Sequence, residues 1–118
     1  MGQMIELTSA DGARIPAYLA EPVGRPKGAV VVVQEIFGIN RHIREVADGY
    51  AADGYLAVAP ATFHRVKPGV ELDYSEAGMT EGIALKQAGH VALRISLDVK
   101  REAGVRGVIT KGEKVSFF

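Results

Sequence analysis

The sequence contains no cysteine. Disulfides, thiolate metal sites and a cysteine nucleophile are therefore excluded from these 118 residues. An excess of charge of either sign is missing too. Its 14 basic and 14 acidic residues cancel, which leaves no electrostatic footprint for nucleic acid or an anionic membrane. No apolar run approaches the roughly 18 residues that a membrane span requires. The opening MGQMIELTSADG lacks the apolar core of a signal peptide, and Gly2 is not followed by the hydroxyl residue of a myristoylation motif. The expectation is a cytoplasmic protein without membrane or nucleic-acid partners. Three scattered histidines without ligand spacing give no metal site, and no motif calls for a cofactor.

What is present suits one globular domain over residues 1–118. The chain is 47% hydrophobic and 24% charged, with no linker, repeat or low-complexity stretch to divide it. Residues 4–9 alternate Ile5 and Leu7 against Glu6 and Thr8, a half-buried strand. Asp11-Gly12 then marks a turn, and Ile15, Ala17 and Leu19 alternate again, so an antiparallel hairpin is expected. A proline- and glycine-punctuated loop, EPVGRPK, leads to the apolar residues 28–34.

After Gly38 the period changes from two to that of a helix. Asn40 is placed to cap it, and Ile43, Val46, Ala47, Tyr50 and Ala51 share one apolar face before Gly54. The strand YLAVA, closed by Pro60, follows. Strand, helix and strand in this order imply a parallel pair with a right-handed crossover. Residues 61–74 show no period and read as a long surface loop, more often functional than idle. Ala84, Ala88, Val91, Ala92, Ile95 and Val99 then share a helical face that Gly104 ends. The tail admits two readings: residues 114–118 as a further parallel strand, or residues 108–118 as a hairpin about Lys111-Gly112. The fold class is thus α/β, a mostly parallel sheet with an N-terminal antiparallel hairpin.

Within VVVVQEIFGIN, from Val30 to Asn40, a run of β-branched residues ends in Gln34 and Glu35. Such a run reads as a strand covered on both faces. Its C-terminal tip is where open α/β sheets bind ligands, so a carboxylate delivered there is a candidate functional group. QEIFGIN, a helix carrying Arg44-Glu45, and then DGYLAVAPATFHRVKPGVELDY together resemble the N-terminal half of the dienelactone hydrolase family. The family's members are α/β-hydrolase enzymes that open a lactone or cleave a related ester. The likeness runs from the first hairpin to the second helix and is sharpest over residues 30–74.

The resemblance implies a catalytic role for Glu35, which in the family sits beside a cysteine nucleophile and influences its ionisation. It also implies that the Ile36 backbone N–H helps form the oxyanion hole, where a donor aimed at developing charge lowers a barrier by several kcal/mol. Phe37, Phe63 and His64 are candidates to line the substrate pocket. The family's nucleophile elbow, of G-x-C-x-G type, and its aspartate and histidine have no counterpart here. GEKVSFF matches the strand leading into that elbow, whereas the stretch from Val105 matches less well, and Ala61-Thr62 stands where some members carry an acidic residue.

No substitute machinery is legible. Ser9, Ser75, Ser96 and Ser116 all lie outside a G-x-S-x-G elbow. His42 and His90 fall on helices as solvated residues, which leaves His64 as the histidine on the same rim as Glu35. The expectation is an incomplete α/β-hydrolase-like fold, truncated before the nucleophile and inactive alone toward the small lactone or ester its kin would take. A binding or assembly module with a vestigial pocket, or half of a split hydrolase, are the alternatives. An apolar edge at residues 114–118 invites pairing with another chain, hence a homodimer or higher oligomer.

Overall fold

A computed structural model of the chain describes residues 2–8 and 12–88. Its elements run β1 (Gln3–Thr8), β2 (Arg14–Ala20), β3 (Ala29–Val31), α1 (Arg41–Ala52), β4 (Leu56–Pro60) and α2 (Glu76–Ala88). They build one four-stranded sheet in the order β1-β2-β4-β3. The hairpin pairs Ile5 with Ala17 and Leu7 with Ile15, so the alternation read in the sequence puts both apolar sets on one face. β2 pairs antiparallel with β4, and β3 pairs parallel with β4.

Among the described residues the sheet is therefore mixed, with one parallel junction of three, rather than mostly parallel. The reason is topological. The hairpin brings β2 against the far side of β4, and any further parallel strand of the tail lies outside the described residues. The α/β character itself stands, with the crossover through α1.

Period two divides the sheet into two faces. Tyr18, Ala20, Val32, Ala57 and Ala59 face α1 and close a core with Ile39, Ile43 and Ala47. Ala17 and Val58 point the other way and gather Ile5, Leu7, Leu19 and Val31. Ala47, Ala57 and Ala59 are wholly buried, and their small side chains let α1 lie close on β4. Helix α1 starts as its sequence requires: the Asn40 side chain accepts the Ile43 N–H at 3.1 Å, satisfying one of the open donors of the first turn. Of its predicted face, Ile43 and Ala47 are buried, whereas Tyr50 is exposed. Tyr18, also buried, donates to Asp48 on α1 at 2.7 Å and accepts from the Gly2 N–H at 2.8 Å, tying the N-terminal strand to the helix.

β3 is shorter than the apolar run 28–34. Its ladder ends with the Val32 N–H on the Val58 carbonyl at 2.8 Å, and the next link to the chain leaving β4 is the Gln34 side chain. α2 begins at Glu76, with Ser75 accepting the Gly78 N–H at 3.0 Å. Its buried face is Gly78, Gly82 and Leu85, while Ala84 and Ala88, placed on the apolar face from sequence, are exposed. Close backbone approach, not side-chain apolarity, sets that face. A Cβ on Gly78 would stand 2.1 Å from the Asp73 carbonyl oxygen, and one on Gly82 would stand 2.3 Å from that of Ile36. The remainder of the predicted face, Gly104, His90 and both readings of the tail lie outside the described residues.

Candidate functional site

The tip of β3 turns sharply. The Gly38 N–H reaches the Glu35 carbonyl at 3.3 Å, and Gly38 has φ +84°, a left-handed conformation that favours glycine. A Cβ there would meet the Val70 carbonyl oxygen at 2.1 Å, so glycine is required on both counts. The turn is thus pressed between the 61–74 segment in front and Gly82 of α2 behind.

Polar bonds fasten that segment across the turn. The Leu72 N–H donates to the Phe37 carbonyl at 2.8 Å. Gln34, buried at the end of the strand, accepts the Thr62 N–H at 2.9 Å and donates to the Glu35 carbonyl at 3.1 Å. Arg44 donates to the Ile39 carbonyl at 2.8 Å and pairs with Glu71 at 3.0 Å, and Lys67 reaches Glu81 of α2 at 2.7 Å. Phe37 packs edge-on against Tyr74, centroids 4.6 Å apart, and the Tyr74 hydroxyl accepts from the Asn40 amide at 3.1 Å. One residue, Asn40, therefore serves both the helix start and the far end of the 61–74 segment.

Glu35 itself is exposed, with no hydrogen bond or ion pair to its carboxylate among the described residues. Ile36 is half-buried and its N–H donates to no acceptor among them. A carboxylate and an amide donor, both without a partner among the described residues, therefore lie on consecutive residues of a braced turn. That arrangement can hold negative charge with the amide while the carboxylate takes or orients a proton.

The five site residues named from sequence are not all brought together. Phe63 and His64 line a cavity of about 240 Å³ with Pro16, Gln34, Arg44 and Val70, whereas Glu35, Ile36 and Phe37 do not line it. His64 Nδ1 is buried there without a hydrogen-bond partner among the described residues. Gln34 touches both places, lining the cavity while its amide donates to the Glu35 carbonyl. His42 is exposed on α1. Ser75 is committed to the start of α2: its hydroxyl donates to Asp73 while accepting the Gly78 N–H, and its bonds hold the Asp73 carboxyl below the usual carboxylate range. Ser9, Ser96 and Ser116 fall outside the described residues.

Sequence reasoning missed Gln34 and Gly82. Gln34 was visible only as the polar residue before Glu35. Gly82 carried no signal, because a glycine in a helix says nothing of what backbone will lie against it. Among the described residues no three histidine or acidic side chains are grouped to hold a metal, and no helix is long and apolar enough to cross a membrane.

Comparison with known proteins bears on this geometry. The family model described as the dienelactone hydrolase family matches residues 15–106. A Synechocystis protein named as a candidate carboxymethylenebutenolidase is 47% identical over 74 residues, covering 62% of this chain and 30% of that protein. Carboxymethylenebutenolidase 1 of Cupriavidus pinatubonensis is 36% identical over 101 residues, or 86% of this chain and 39% of the relative. A crystal structure of a candidate dienelactone hydrolase from Klebsiella pneumoniae superposes with a TM-score of 0.51 at 40% identity, over 55% of this chain and 28% of that one. The chain thus spans about a third of the length of these curated relatives. The matched span holds nearly all of β2, the crossover and the braced turn, and by that match the chain belongs to the dienelactone hydrolase family.

Proposed function

We propose that the turn at Glu35–Phe37 is one side of a hydrolytic site for a small lactone or ester. In this reading Glu35 sets the ionisation of the nucleophile, the Ile36 N–H stabilises the oxyanion, and Phe37 shapes the apolar wall. The observation that carries it is a carboxylate and a neighbouring backbone donor, both unengaged among the described residues, on a turn braced from both sides. Backbone donors that are shielded from water are ordinarily paired, so the half-buried Ile36 N–H is the less usual of the two.

The nucleophile is not among these residues, since the sequence has no cysteine and no serine in an elbow motif. The 118-residue chain is accordingly a site for binding and charge stabilisation that does not turn over by itself. Its apolar KVSFF segment further supports association as a homodimer or higher oligomer, and a monodisperse monomer by light scattering at micromolar concentration would count against that part. The reading is tested by turnover of a chromogenic acetate ester and a small lactone by the purified chain, with Glu35→Gln alongside. Rates equal to buffer for both are expected. A rate above buffer that Glu35→Gln abolishes would mean that another group of this chain acts as nucleophile.

A further inference from the structure

We infer that Gln34 is the residue that aims the Ile36 N–H, a positioning role that rests on the reading of that N–H as an oxyanion donor. The geometry is that of one peptide unit. The Glu35 carbonyl and the Ile36 N–H belong to the same planar trans group and point in opposite directions. Fixing the oxygen therefore fixes where the proton points.

Two donors hold that oxygen: the Gly38 N–H at 3.3 Å and the Gln34 amide at 3.1 Å. The first is at the long, weak end of hydrogen-bond geometry, so the second matters more. It is also anchored at its other end. Gln34 Oε1 accepts the Thr62 N–H at 2.9 Å, which ties the peptide plane to the chain leaving β4. Both partners are backbone groups of fixed polarity, a donor and an acceptor, so only one orientation of the amide satisfies them. A glutamate would keep the Thr62 bond and lose the donor, and a methionine would lose both at similar volume. Behind the turn, Gly82 stands against the Ile36 carbonyl, so the next peptide unit has little room to compensate.

The test uses the full 118-residue chain, 15N-labelled, titrated with methylphosphonate as a tetrahedral oxyanion while amide resonances are followed. In the wild type the Ile36 amide is expected to move downfield more than any other, and the Gln34 side-chain NH₂ to show two resolved, slowly exchanging protons. Gln34→Glu and Gln34→Met are expected to weaken the Ile36 response about three- to tenfold, the scale of one hydrogen bond. The Leu56 and Val58 amides of the core should stay in place.

A wild type whose Ile36 amide ignores the anion would overturn the donor reading itself. A wild-type response that both variants retain in full would overturn the role of Gln34 alone. Should neither variant fold, the wild-type side chain decides, since rapidly exchanging, degenerate Gln34 NH₂ protons would also overturn it.

Discussion

The same strand serves two regions held by different physics. Below, Val32 joins Tyr18, Ile43, Ala47, Ala57 and Ala59 in a core that buries apolar surface between α1 and the sheet. Above, residues 34–38 bury little beyond Gln34, Phe37 and Gly38 and are held by hydrogen bonds, two close glycine approaches and one aromatic contact. Burial is non-directional and tolerates adjustment, whereas hydrogen bonds fix orientation. On the proposed reading this region has to point the Ile36 N–H in a set direction, and the second kind of force serves that better. The price is sensitivity to single atoms.

Substitutions can break this contrast. Ile43→Ala removes buried methylenes facing β2 and β4, and should cost about 3 kcal/mol of global stability, read as a fall in urea midpoint. Gly38→Ala should cost about 2 kcal/mol, because it combines left-handed strain with a clash against the Val70 carbonyl. It should act locally, shifting the Leu72 and Thr62 amides before those of β4. Gly69→Ala is its control. Gly69 also has positive φ, at +69°, but nothing lies within 4 Å of its added Cβ, so about 1 kcal/mol from strain alone is expected. Equal costs at Gly38 and Gly69 would deny that the close approach matters.

Titration separates the regions further. Burial, and then the bond it gives to Asp48, push the Tyr18 hydroxyl above its ordinary value of 10.0. The folded state therefore binds this proton more tightly than the unfolded one. Its contribution is complete below pH 10 and is lost as pH rises through the folded value, so urea stability should fall above about pH 10 and Tyr18→Phe should flatten that fall. Asp73 runs the other way and is smaller, being exposed. Its carboxyl is lowered by the Ser75 bonds from 3.8, so its contribution is present above that value and lost as pH falls through the folded one. Acid should loosen the first turn of α2 before it disturbs α1, visible in the Gly78 amide. Asp73→Asn should show that loosening already at neutral pH.

The core was largely legible in the sequence, and the tip was not. Alternation at Ile5, Leu7, Ala17 and Leu19 and the helical spacing from Ile43 to Ala51 express burial, which leaves a periodic trace. Asn40 was legible because capping is local, acting over three residues. Gln34 was not, because its partner Thr62 is 28 residues away and amide partners leave no period. α2 was misread for a related reason. Its buried Gly78 and Gly82 follow from contacts with Asp73 and Ile36, while Ala84, apolar and in phase, faces outward. Glu35 stood out because a charge that follows the valine run falls at the strand tip and within the QEIFG motif of the resemblance. The separation of the Phe63–His64 cavity from the Glu35 turn needed coordinates, since adjacency on one rim does not tell which way each side chain points.

The central claim is that Glu35 and the turn behind it belong to a hydrolytic site whose nucleophile this sequence does not carry. The most direct measurement is to graft residues 15–88 of this chain in place of the corresponding segment of the Cupriavidus carboxymethylenebutenolidase and assay lactone hydrolysis, with and without Glu35→Gln. The account expects a working hybrid that loses roughly a hundredfold or more in kcat when Glu35 becomes glutamine, the scale of a positioned proton-handling group. A folded, active hybrid indifferent to Glu35→Gln would contradict it.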